Sequence, residues 1–116
     1  MPHYFVDREV TLEDIQKLVG LKYERDDSVF VLKEVYASPK GDGFLIRAFA
    51  SDGGFQQHYF LIVRRAGSRW LVKLDGASLP YRTTAVKFSV YKVGRALQGE
   101  PLEDKWGRIS YEGVAE

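Results

Sequence analysis

The sequence predicts one α+β domain, mainly antiparallel β: a short N-terminal helix, then a five- to six-stranded bent meander. Three observations predict it. Runs rich in β-branched and aromatic residues recur along the chain, each bounded by Gly, Pro, Asp or Ser clusters. The connections between runs are short, so sequential neighbours pair most simply as antiparallel hairpins. A chain of 116 residues suffices for one core and is too short for two of ordinary size, so residues 1–116 are taken as a single domain.

The helix is signalled at its start. Thr11 is placed as N-cap, Asp14 gives a weak capping box, and Val10 with Ile15 occupy the positions of a hydrophobic staple. Glu13 and Asp14 fall in the first turn, where the helix dipole favours acids. Leu12, Ile15, Leu18 and Val19 would form the apolar face, and Gly20 would end the helix in a left-handed conformation. A helix of about two turns is unstable alone and has to dock.

The strands follow. Residues 29–36 and 44–50 flank the turn cluster Ser38-Pro39-Lys40-Gly41-Asp42-Gly43. Residues 58–65 come after Ser51-Asp52-Gly53-Gly54, and residues 70–74 after Ala66-Gly67-Ser68. Asp75-Gly76 closes this four-stranded part, and residues 77–84, with Pro80, read as a loop. Residues 86–93 read as a fifth strand, with Val86, Phe88 and Val90 on one face and Lys87, Ser89 and Tyr91 on the other. A weaker sixth is expected at 108–111, and 3–6 is a candidate edge strand. Tyr59 to Val63 is apolar without alternation, as expected of a strand buried on both faces or central in a curved sheet. Two architectures fit: an SH3-like small barrel, favoured by the closely spaced turns and weak helix, and a cystatin-like curved sheet wrapping the helix.

Composition narrows the function classes. There is no cysteine, so disulfides and thiolate metal sites are excluded. The first residues carry neither a basic start nor a long apolar run, and no stretch is long and apolar enough for a membrane helix, so a cytoplasmic location is expected. The net charge is only +1, but its distribution is uneven. Between Gln56 and Gly99 lie Arg64, Arg65, Arg69, Lys73, Arg82, Lys87, Lys92 and Arg95, against the single acid Asp75. Acids dominate both flanks: Asp7, Glu9, Glu13, Asp14, Glu24, Asp26, Asp27 and Glu34 before it, and Glu100, Glu103, Asp104, Glu112 and Glu116 after it.

Neighbouring strands would gather these cations into one face, interleaved with Tyr59, Trp70, Tyr81 and Tyr91. We take Arg64, Arg65, Arg69, Lys73, Lys87, Lys92, Trp70 and Tyr91 as the partner-binding set. Arg and aromatic residues anchor protein interfaces, so the first expectation is a non-enzymatic module engaging a protein partner, one with an acidic surface for example. The alternative is single-stranded nucleic acid on the same face, since cations take phosphates and rings stack on bases. A third is a cone-like fold with a small-ligand pocket lined by Tyr59, Phe88 and Trp70. Against all three stands a plainer arrangement, in which the acidic flanks fold back and neutralise the basic strands.

Catalytic and metal patterns are lacking, so no catalytic residue, metal or cofactor is expected. His3 and His58 are isolated, and no pair of His or Cys has zinc-ligand spacing. Asp26-Asp27 lacks the further carboxylates of a calcium loop. Gly41-Asp42-Gly43 and Gly53-Gly54 lie between strands and read as hairpin turns rather than phosphate loops. No serine sits in a Gly-x-Ser-x-Gly elbow. Asp75 with Glu103-Asp104-Lys105 gives no buried strand for a nuclease-like carboxylate set. Trp106 stands out in a polar segment, where pinning the tail to the core is favoured over anchoring a partner, a choice that exposure of the ring would reverse. Oligomeric state is left open.

Overall fold

The computed structural model describes residues 3–78 and 80–111. In order, the elements are β1 (His3–Val6), α1 (Leu12–Gln16), β2 (Leu21–Arg25), β3 (Ser28–Ala37), β4 (Gly43–Asp52), β5 (Phe55–Ala66), β6 (Arg69–Leu74), a 3-10 turn (Gly76–Ser78), α2 (Thr84–Gln98) and β7 (Arg108–Tyr111). The strands form one antiparallel sheet in the order β1-β6-β5-β4-β3-β2-β7, curled into a half-barrel. The fold is therefore the α+β, mainly antiparallel, barrel-like class that the sequence implies.

Hairpin chemistry explains the meander from β2 to β6. Asp52 pairs with Phe55 across Gly53-Gly54, whose φ angles of 57° and 90° suit a two-residue turn with two left-handed positions. Asp26, at φ 55°, supports the equally tight β2–β3 turn, a position that aspartate tolerates better than most residues. The register between β3 and β4 shifts between Leu32 and Glu34, a bulge that adds local twist and helps the sheet curl.

One element differs in type from its expectation. Residues 86–93 are not a strand but the middle of α2, which packs against β1, β3, β4 and β6 on the concave face. Ala85, Val86, Ser89, Val90, Val93 and Leu97 are buried, the three-and-four spacing of a helix face. Gly99 closes α2 at φ 89°. The sheet also contains β2, a strand beyond those expected from the sequence, between Gly20 and Asp26.

The first helix has the expected start. Thr11 and Asp14 form the full capping box, and Val10 and Ile15 are buried. It is shorter than expected, however, and Leu12 and Val19 are exposed rather than on an apolar face. Gly20 is left-handed at φ 88°, and its N–H donates to the Leu32 carbonyl at 2.7 Å. In β5, Tyr59, Leu61 and Val63 are buried toward α2, while Phe60 and Ile62 are half-buried on the outer face. No described helix is long and apolar enough to cross a membrane.

Candidate nucleic-acid interface

The cationic residues singled out by the sequence divide into three groups. The first lies on the outer face of β5 and β6, opposite α2. Register sets Arg64 beside Leu71, and Leu71 beside Phe5 of β1; the next row is Ile62, Lys73 and His3. Arg69 closes the group, its guanidinium 4.0 Å from the Phe5 ring centroid. Phe5 also meets the His3 ring edge-on at 5.6 Å. Arg64 and Lys73 make no ion pair among the described residues. Three cations and an exposed phenyl ring thus share one uncovered patch, the chemistry that phosphates and stacked bases require.

Arg65 stands at the border of that patch and is partly neutralised. Its side chain follows the inward alternation of β5, lies over Trp70 at 5.1 Å and pairs with Glu9 from the N-terminal segment. Trp70 itself is core: it is buried and stacks on Phe44 at 5.8 Å, so it offers no surface to a partner. The second group belongs to α2, which covers the opposite face of the sheet. Lys87 is exposed there, and Tyr91 is exposed with its ring 6.4 Å from Tyr4. These two do not join the Arg64 patch.

Lys92 forms the third group by itself, and it is buried. Its Nζ donates to the Leu102 carbonyl and to Asp104 Oδ2, both at 2.7 Å, and lies 4.5 Å from the Tyr23 ring centroid. Tyr23 Oη donates to the same carboxylate oxygen at 2.8 Å. Asp104 Oδ1 accepts the backbone N–H groups of Trp106 and Gly107 at 2.9 and 2.8 Å. The Lys92 ammonium, joined by these other donors, holds the Asp104 carboxyl well below the usual carboxylate range. Burial, followed by the Asp104 hydrogen bond, pushes the Tyr23 hydroxyl up to about 12. Lys92 therefore fastens the segment after α2 instead of meeting a partner. The expectation that acidic flanks fold back holds for Arg65 and Lys92, but not for Arg64 or Lys73. Glu112 and Glu116 lie outside the described residues.

The pocket expected inside a cone-like sheet is occupied by the chain itself. Helix α2 fills the concave side, and the buried Tyr59 hydroxyl donates to Ser89 Oγ at 2.6 Å. Among the described residues no group of three His, Asp or Glu side chains is arranged to hold a metal ion. Trp106 departs from the favoured expectation that it pins the tail to the core. It is 60% exposed on a fastened segment, with the Lys105 Nζ at 4.7 Å and the Arg25 guanidinium at 5.7 Å from its ring centroid. Arg25, drawn from the acidic first part of the chain, was not among the candidates because its neighbours Glu24, Asp26 and Asp27 masked it.

No family model matches the chain, and no solved structure does. A curated protein does: the tRNA (guanine-N(7)-)-methyltransferase of Thermotoga maritima is 38% identical over 104 residues, which cover 87% of this chain and 32% of the relative. The chain thus spans about a third of the length of the relative it matches. Because that relative is an enzyme named for tRNA, the similarity overturns the expectation of a non-enzymatic module built to engage a protein partner, and leaves the small-ligand alternative without support.

Proposed function

We propose that this chain works within an enzyme that methylates tRNA at guanine N7, and that its part in that work is to hold the tRNA. The carrying observation is the 38% identity over 104 residues to a tRNA (guanine-N(7)-)-methyltransferase. The match covers 32% of that protein, so the reading assigns methyl transfer to sequence beyond the matched third. The fold agrees with this division. All pairings in the sheet are antiparallel, whereas nucleotide-type cofactors sit characteristically at helix N-termini beyond parallel strands.

Arg64, Arg69 and Lys73 are the phosphate contacts in this reading, with Arg65 at their edge and the Arg69 guanidinium seated on the Phe5 ring. A net charge of +1 gives little steering over distance, so binding rests on this local cluster. Such an enzyme works where tRNA is, in the cytoplasm.

Two measurements test the proposal. Nucleoside mass spectrometry of tRNA from cells lacking the gene should show loss of N7-methylguanosine, restored by the wild-type gene; an unchanged level refutes the enzyme assignment. In the purified enzyme, Arg64→Glu with Arg69→Glu should raise KM for tRNA about tenfold or more and change kcat little, because phosphate contacts bind ground and transition states alike. A fall in kcat at constant KM speaks against the tRNA-holding role.

A further inference from the structure

The segment joining α2 to β7 presents Trp106 in an unusual way. Its backbone is held: Asp104 accepts the Trp106 and Gly107 N–H groups, and Lys92 and Tyr23 hold Asp104 in turn. Gly107 lies so close to Tyr23 that an added Cβ would stand 2.5 Å from the Tyr23 hydroxyl oxygen. The indole itself is 60% exposed. A tryptophan serving only to pack would be covered, as Trp70 is. Instead, a rigid mount carries an open ring.

The ring's neighbours are cations. Lys105 Nζ lies 4.7 Å from its centroid, and the Arg25 guanidinium lies 5.7 Å from its centroid and 5.1 Å from that of Phe88. The Asp104 carboxylate is taken up by its four donors and leaves little free negative charge beside the indole. The hollow that Arg25 shares with Asp26, Asp27, Ser28, Thr84 and Phe88 carries two exposed carboxylates, which disfavour a bare polyanion there and suit the amino edge of a base.

We propose that Trp106 is a stacking platform for an unpaired RNA base, with Lys105 receiving the adjoining phosphate and Arg25 backing the ring. The inference rests on the tRNA reading above and adds to it a single-stranded contact, separate from the Arg64 patch. An aromatic face serves any base, since every base has a π-face, and a nearby cation holds the adjoining backbone. Pre-fixing the backbone beneath the ring removes part of the ordering entropy that a tryptophan on a mobile segment would lose on binding.

Fluorescence isolates the site, because the other indole, Trp70, is buried. Unfractionated tRNA and a single-stranded oligoribonucleotide should each quench Trp106 emission, read as the difference between wild type and Trp106→Phe. Inorganic polyphosphate at equal phosphate concentration should not. Trp106→Ala should weaken oligoribonucleotide binding about tenfold, and Trp106→Phe by about threefold or less. Lys105→Glu should weaken it too, which covers the case of a poorly folded Trp106→Ala protein. RNA binding that is indifferent to Trp106→Ala, or equal quenching by polyphosphate, overturns the platform alone. No RNA binding by the wild-type chain at low salt overturns the tRNA-holding reading and the platform with it.

Discussion

At Asp104 two side chains and two backbone amides converge on one carboxylate. Asp104→Asn keeps the shape but leaves the buried Lys92 ammonium without its counter-charge, and should destabilise the fold by about 2 kcal/mol or more in urea titration. The pH dependence follows from the sign of the shift. The folded carboxyl titrates below its ordinary value, so the stabilisation is complete above about pH 4 and is lost as pH falls from there through the depressed folded value. The wild-type melting temperature should therefore drop on acidification in that window, and the Asp104→Asn curve should be flatter there. Gly94 presents the opposite situation, a residue needed for what it lacks. It is buried in α2 against Tyr4, and a Cβ would stand 2.3 Å from two Tyr4 ring carbons and 2.8 Å from the Tyr4 Cβ. Alanine in place of glycine ordinarily favours a helix by about 1 kcal/mol. Here crowding should outweigh that gain, for a net loss of about 1–2 kcal/mol, and a raised melting temperature would contradict the packing described.

At the scale of elements, α2 is the segment whose sequence supports two readings. Val86, Phe88 and Val90 alternate as in a strand, and three valines within eight residues carry β propensity. Over the longer window from Ala85 to Leu97 the apolar positions keep helical spacing, and tertiary packing on the concave sheet decides the matter. The two readings place Ser89 on opposite sides, which makes it diagnostic. In the helix it is buried, accepts from Tyr59 and donates to the Val86 carbonyl at 2.6 Å. Ser89→Ala should therefore cost about 1–2 kcal/mol, whereas exposed Lys87→Ala should be near neutral. Equal effects would argue against α2 as described. Elsewhere local chemistry was legible: the Thr11–Asp14 capping box, the Gly53-Gly54 turn and the strands at 3–6 and 108–111 all follow from short-range signals. Strand β2 escaped because Leu21, Tyr23 and Arg25 make too short an alternation to stand out beside acidic neighbours.

For the whole molecule, part of the site was readable and its use was not. Arg64, Arg69 and Lys73 could be placed together because hairpin neighbours share a face. Lys92 and Trp70 could not be recognised as buried, since charge and aromaticity alone do not say which way a side chain points. The partner stayed ambiguous because arginine and aromatic rings serve protein and RNA surfaces equally. Salt separates those partners. The three phosphate contacts of the Arg64 patch should alone contribute about −2 to −3 to the log–log salt slope for tRNA binding, and Arg64→Ala should reduce its magnitude by about 1. A slope near zero would remove the phosphate contacts from the account. The order of the sheet carries a last consequence, for the sequence of events in folding. Strands β2 to β6 join neighbours through tight turns, but β1 must find β6, and β7 must find β2, across most of the chain. Closing such long loops is entropically expensive, so these two border strands should zip on last and come away first. Amide hydrogen exchange should accordingly begin at Tyr4 and Ile109 and reach Ile46 and Leu61 only with global opening.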